Sequence, residues 1–174
     1  FGGGSRLFFN DLRQFGYMKI VNKESLVKEL AKFGLEPLTK EFSFRQFRKI
    51  FNHKKTAIKS LLMNQNLIAG LGNIYADEVC FYAKVKPSRR VDSLNEGEIK
   101  KLYDGCRVIL TKAVKARGTT FSDYVDADGR QGGFVKYLRV YGRKGEQCKR
   151  CRRGVITKIK QGGRGTHYCP RCQK

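Results

Sequence analysis

Cys148, Cys151, Cys169 and Cys172 form two Cys-x-x-Cys pairs separated by seventeen residues. Each pair can turn two thiolates towards one ion through a tight knuckle, and four thiolates complete a tetrahedron with no position left for water. That donor set holds a structural ion and not a catalytic one. Zn(II) is the expected occupant, one ion per chain, with an iron site as the alternative. No signal-peptide pattern opens the sequence, so the spacing favours metal over disulfides. The clamp encloses a basic segment, "VITKIK", in which Val155, Thr157 and Ile159 alternate against Ile156, Lys158 and Lys160 as in a strand. "THY" begins the return strand, and the tip between them is "QGGRG". Arg164 is the one long charged side chain on that tip. A guanidinium on a rigid, glycine-flanked turn suits a phosphate. Metal binding would supply on the order of 10 kcal/mol to a segment with few apolar residues of its own.

"NQNLIAGLGNIYADE" is the second constellation. Two glycines permit a tight turn between helices, and Asn73 is placed to cap the second helix. The free N–H groups of that helix start form a ready anion site. Lys54, Lys55 and Lys59 lie nearby in sequence and add positive charge to the same path. Ile74, Val79 and Phe81 are expected in the core.

The elements that carry these groups follow from periodicity. "RLFF" and "YMKIV" read as two strands, the end of a β domain. "ESLVKELAKF" places Leu26, Val27, Leu30 and Phe33 on one helical face with Gly34 to end it, and "GLEPLTKE" reads as a linker. "SFRQFRKIF" is a helix capped by Ser43, with Phe44, Phe47, Ile50 and Phe51 on one stripe. Two more helices flank "AGLGN". A longer one is expected from a capping box at Ser93-x-x-Glu96, with Ile99, Leu102, Tyr103, Cys106, Ile109, Leu110 and Ala113 as its apolar face. "GTTFSDYVDADGRQGGF" has turn residues and no period, and reads as a mobile loop. Cys80 and Cys106 sit within helical apolar patterns and are expected as core filler.

The chain has 174 residues, 37 Lys and Arg against 15 Asp and Glu, a formal charge of +22 and a pI near 10.0. Such an excess opposes compaction by self-repulsion unless a polyanion neutralises it, which points to nucleic acid or an acidic membrane surface. The basic residues are spread over several elements and do not follow one amphipathic helix, so nucleic acid is favoured. No apolar run approaches a membrane span.

"FNDLRQFG", "NQNLIAGLGNIYADE", "GTTFSDYVDADGRQGGF" and the four-cysteine hairpin, in that order, resemble the bacterial formamidopyrimidine-DNA glycosylase family, related to endonuclease VIII. The likeness covers essentially the whole chain. It implies a helix-two-turn-helix module packed on a zinc hairpin, both gripping the DNA backbone around an extruded base. By resemblance, Arg13 and Phe15 fill the gap left by that base, and Lys54, Lys59 and Asn73 contact the DNA backbone. Thr119 and Thr120 belong to the loop that closes over the damaged base. Arg164 holds phosphate and donates a proton in the last elimination step. Leu12 stands where the family has proline, and "RRG" after Cys151 makes the zinc segment one residue longer than usual. The family's nucleophile is an N-terminal proline amine followed by glutamate. This chain begins Phe-Gly-Gly, and Pro37, Pro87 and Pro170 are internal. An internal proline has no free amine for a Schiff base.

The expectation is therefore an α+β chain: a remnant of an N-terminal β-sandwich domain over residues 1–22, a helix and linker over 23–40, a mainly α helix-two-turn-helix domain over 41–138, and a zinc β-hairpin over 139–174. The resemblance implies a DNA glycosylase with AP lyase (β,δ-elimination) activity on oxidised purines such as 8-oxoguanine and formamidopyrimidines. Its partner would be double-stranded DNA containing damaged bases or abasic sites. The chain would act as a monomer in the bacterial cytoplasm, with the nucleoid and without a membrane. It carries the DNA- and zinc-binding part and is expected to be inactive alone, with no adduct on borohydride trapping. A non-catalytic zinc-ribbon module that binds nucleic acid is the rival, and it would show no preference for a lesion.

Overall fold

The computed structural model describes residues 3–4, 6–9, 11, 16–120 and 132–174. Arg13 and Phe15 lie outside the described residues, as does 121–131 of the expected loop. The chain divides into two units, Phe1–Lys32 and Phe33–Lys174.

In the first unit, α1 spans Lys23–Leu30. Asn22 begins it by accepting the Ser25 amide N–H at 2.8 Å. Glu29 takes Lys19 at 2.7 Å and Lys32 on its two oxygens. The side-chain hydrogen bonds with those lysines hold the Glu29 carboxyl down at about 2. Nothing on α1 is buried: Leu26, Val27 and Leu30 are all exposed. The strands expected at "RLFF" and "YMKIV" do not form among the described residues, where 6–9 and 16–20 pair with no ladder. Two strands with no further partner among the described residues gain too little to order one another.

The second unit is helical around one core. The segment expected as a linker is pinned: Gly34 N–H donates to Gln65 O at 2.9 Å, and Leu35 pairs in parallel with Ile68. A Cβ on Gly34 would stand 2.2 Å from the Leu67 carbonyl carbon, so only glycine permits this approach. α2 covers Phe44–Lys49 and starts at Ser43 as expected, with the Ser43 hydroxyl accepting from the Gln46 amide. Phe42, Phe47, Phe51 and Tyr103 pack as an aromatic cluster with centroids 4.9–5.7 Å apart. α3 spans Ile58–Leu62, α4 Asn73–Ala83 and α5 Glu96–Lys115.

The start of α5 differs from the expected box at Ser93. Asn95 is the cap, accepting the Glu98 amide at 2.9 Å while the Glu98 carboxylate accepts the Asn95 amide at 3.0 Å. Ser93 instead ends a short 3-10 turn, Val91–Ser93, and its hydroxyl bonds Arg90 O. Arg89 braces this start by gripping Glu98 at 2.6 and 3.0 Å. The predicted apolar face of α5 is correct: Ile99, Leu102, Cys106, Leu110 and Ala113 are buried, with Tyr103 and Ile109 partly so. Cys80 and Cys106 are fully buried, and burial pushes both thiols up, as suits core filler.

The final hairpin pairs β1, Thr157–Gln161, with β2, Arg164–Tyr168, from Thr157 opposite Tyr168 to Gln161 opposite Arg164. The return strand begins earlier than "THY". Gly162 and Gly163 make a two-residue turn, with φ of 54° and 74°, a conformation that favours glycine. Arg164 is thus the first strand residue beyond the tip.

Candidate functional site: a zinc clamp and the face it holds

The four sulfurs of Cys148, Cys151, Cys169 and Cys172 lie within 4.8 Å of one another. Cys148 to Cys172 is 3.7 Å and Cys151 to Cys169 is 3.9 Å. These separations are far too long for disulfides, and they match the edge of a tetrahedron, about 3.8 Å, with Zn–S bonds of about 2.3 Å. The knuckle is built for a thiolate: the Gly154 amide points at Cys151 Sγ at 3.3 Å. A Cβ on Gly154 would come within 2.7 Å of Cys169 Sγ. Arg152 takes a left-handed φ of 51° in this knuckle. The amides of Arg153 and Gly154 pull the Cys151 thiol down to about 6, whereas burial and the neighbouring sulfurs push Cys172 up to about 12. The cluster therefore needs a cation to hold four thiolates at once. The chain fits one structural Zn(II), which closes the loop and leaves no open coordination position.

The clamp is fastened to the helices by buried carboxylates that sequence reasoning did not single out. Asp77 on α4 accepts the His167 amide at 2.7 Å, with His167 Nδ1 at 3.3 Å, and its other oxygen meets Lys59 Nζ at 2.7 Å. Lys59 also donates to Gly165 O at 2.9 Å and Thr166 Oγ1 at 2.8 Å. Lys59 is 2% exposed and Asp77 fully buried. Lys59, expected on the DNA backbone path, is buried instead: its ammonium donates to Gly165 O and Thr166 Oγ1 and pairs with Asp77, tying β2 to α3 and α4. Glu78 accepts the amides of Arg139, Val140 and Tyr141 at 2.9–3.0 Å. Burial pushes its carboxyl up, and the three amides partly offset this. Gln173 completes the fastening, accepting the Cys169 amide and donating to Val85 O. The available signal was an Asp-Glu pair in an otherwise apolar helix.

Gly72, not Asn73, is the N-cap of α4, and no side chain caps this helix. Asn73 is its first residue; its amide donates weakly to Tyr141 Oη at 3.4 Å, and its buried Oδ1 has no partner among the described residues. The first-turn amides of α4 are thus left for another acceptor. Gln65 staples the preceding turn, accepting from Gly70 N–H at 2.9 Å and donating to Leu71 O at 3.0 Å. Tyr141 stacks edge-on against His167, with centroids 4.9 Å apart, which joins the Asn73 end of α4 to the hairpin. Arg164 is exposed and lines a recess of about 200 Å³ with Ser60, Asn64 and Gln161. Lys54 is exposed on the loop before α3. Thr119 and Thr120 stand just before the expected closing loop: Thr119 bridges to Gly133 and meets Tyr75 Oη at 3.1 Å, and Thr120 Oγ1 accepts the Gly132 amide at 2.7 Å.

This arrangement defines a class: a helix-turn-helix module carrying a rigid, four-cysteine zinc hairpin beside an uncapped helix start. Residues 33–125 match the formamidopyrimidine-DNA glycosylase H2TH domain, and residues 145–174 match the zinc finger found in FPG and IleRS. The chain belongs to the formamidopyrimidine-DNA glycosylase family. It is 47% identical over 173 residues to the formamidopyrimidine-DNA glycosylase of Heliobacterium modesticaldum, covering 98% of this chain and 62% of that protein. The Listeria innocua protein is 46% identical, with 98% and 63% covered. A solved complex of Lactococcus lactis Fpg with DNA containing an abasic site superposes with a TM-score of 0.86 at 41% identity, over 94% of this chain and 60% of that one. MutM (Fpg) of Thermus thermophilus gives a TM-score of 0.80 at 41% identity, over 87% and 57%. The chain thus spans less than two thirds of the length of these relatives.

Proposed function

We propose that this chain is the DNA-gripping part of a base-excision glycosylase and AP lyase that acts on oxidised purines in duplex DNA. The observation that carries the reading is the fastening of Arg164 and the uncapped start of α4 to one rigid frame through Lys59, Asp77 and His167. A helix N-terminus and a guanidinium held on one frame suit the phosphates flanking an extruded nucleotide. Asn73 and Lys54 add contacts on the same path, and the formal charge of +22 supplies the sequence-independent attraction. In this reading Thr119 and Thr120 anchor the loop that covers the base, and Arg13 and Phe15 fill the space it leaves. Arg164 grips phosphate and, in the family's elimination, donates a proton. The structural ion supplies rigidity to the hairpin and no chemistry.

The division into 1–22, 23–40, 41–138 and 139–174 stands as a proposal, while Phe33 onward groups with the helical unit, where the Gly34 and Leu35 amides are bonded. A monomer working with the nucleoid in the bacterial cytoplasm accords with this role. Among the described residues no helix is long and apolar enough to cross a membrane. Salt dependence tests the interface: Arg164→Ala should weaken binding to abasic-site duplex and lower the slope of log K against log salt by about one unit, one phosphate contact. An unchanged slope would remove Arg164 from the interface.

A further inference from the structure

A second concavity, of about 410 Å³, opens between the C-terminal half of α4, the outer face of α5 and residues 134–150. It shares no lining residue with the recess at Arg164. Its floor is apolar and aromatic. Phe81 and Phe134 form the buried base, and Tyr82 and Val108, 38% and 47% exposed, form the mouth. The rim is cationic, with Lys112, Arg139 and Arg150. An adjoining depression runs on along α5 past Val108 to Arg107 and Lys115.

Two features set this hollow apart from a merely basic surface. First, its charge is uncompensated among the described residues. Glu78, the only lining carboxylate among them, has both oxygens occupied by backbone amides. Among the described residues the ion pairs of this unit engage other cations. Second, two of the cations are held in place. Arg150 lies 3.9 Å from the Phe81 ring centroid and donates to Phe81 O at 2.7 Å, and Lys112 Nζ stands 3.8 Å from the centroid of Tyr137. Cations fixed on aromatic faces lose little freedom when a carboxylate arrives.

We propose that this hollow is a docking site for an acidic peptide segment of a protein partner. One large apolar side chain of the segment enters between Tyr82, Val108 and Phe134, and flanking carboxylates meet Lys112, Arg139 and Arg150. The alternative polyanion, duplex DNA, presents no apolar side chain to fill such a hollow, and its phosphates gain nothing from an apolar floor. The site is separate from the DNA-binding reading and stands whether or not that reading holds.

The test uses the zinc-loaded 174-residue chain and a short fluorescent peptide with acidic residues on both sides of a Phe-Leu pair, titrated by anisotropy at physiological ionic strength. Saturable binding is expected, weakened about tenfold, or about 1.4 kcal/mol, when Phe-Leu becomes Ser-Ser, and by a similar factor in Val108→Glu and Lys112→Glu. Both positions are solvent-exposed on α5, and circular dichroism and zinc content check that each variant is folded. If Val108→Glu fails that check, Lys112→Glu and the Ser-Ser peptide decide. Equal affinity for the Ser-Ser peptide reduces the site to charge alone and overturns the proposal. So does a tenfold loss of duplex DNA binding in Lys112→Glu, which would make the hollow a nucleic-acid surface.

Discussion

Replacing Asp77 by Asn should loosen the hairpin from the helices while keeping the shape of the side chain. The Asn oxygen can still accept the His167 amide, but its NH2 group then faces the Lys59 ammonium, which is 2% exposed. Breaking one side of a buried pair costs about 3–5 kcal/mol because the remaining charge is left without a counter-charge. Lys59 keeps Gly165 O and Thr166 Oγ1, so the lower figure, about 3 kcal/mol, is expected. With a guanidinium m-value of about 4 kcal/mol/M, the midpoint should fall by about 0.7 M. Unfolding of the zinc-loaded protein followed by circular dichroism measures this. Asp77→Asn combined with Lys59→Met removes both charges and should recover most of the loss. A midpoint shift below about 0.2 M, or a double variant as unstable as the sum of the singles, would refute the account of Lys59 and Asp77 as the fastening.

Other outcomes follow from the same geometry. Gly154→Ala should lower zinc affinity at least about tenfold in a chelator competition, because the new methyl would meet Cys169 Sγ at 2.7 Å; unchanged affinity would mean the knuckle can shift. Glu29 has a folded-state value of about 2 against 4.5 for the free side chain, so its pairing supports α1 above about pH 4.5 and is lost as the pH falls through 2. A carboxyl NMR titration of Glu29 should find its midpoint near 2; a midpoint near 4.5 would show that the Lys19 and Lys32 contacts do not persist in solution.

The parts legible in the sequence were those set by local pattern. Cysteine spacing fixed the metal site because two knuckles and one hairpin suffice to close it. The α5 face followed from period, and Ser43 from its place before an apolar run. The start of α5 was misplaced at Ser93: the box forms at Asn95, where Glu98 closes it and Arg89 braces Glu98. Asn73 looked like a cap because Asn is good at capping, yet Gly72 takes the extended backbone and leaves Asn73 in the first turn. Lys59 read as a cation on the phosphate path. Its pairing with Asp77 and with Gly165, 106 residues away, depends on the folded packing of the hairpin and leaves no trace in the spacing. Gly34 read as a terminator within a linker, and its true constraint is a backbone contact with Leu67.

The central claim is that the frame joining α4 to the zinc hairpin grips DNA at a site where a nucleotide leaves the stack. The most direct measurement compares the affinity of this chain for a duplex with one abasic site and for the same duplex intact, at matched salt. The account predicts tighter binding to the abasic duplex, because a missing base lowers the cost of opening the stack. Equal affinity for both duplexes would contradict it and favour a zinc-ribbon module that binds nucleic acid without regard to lesions.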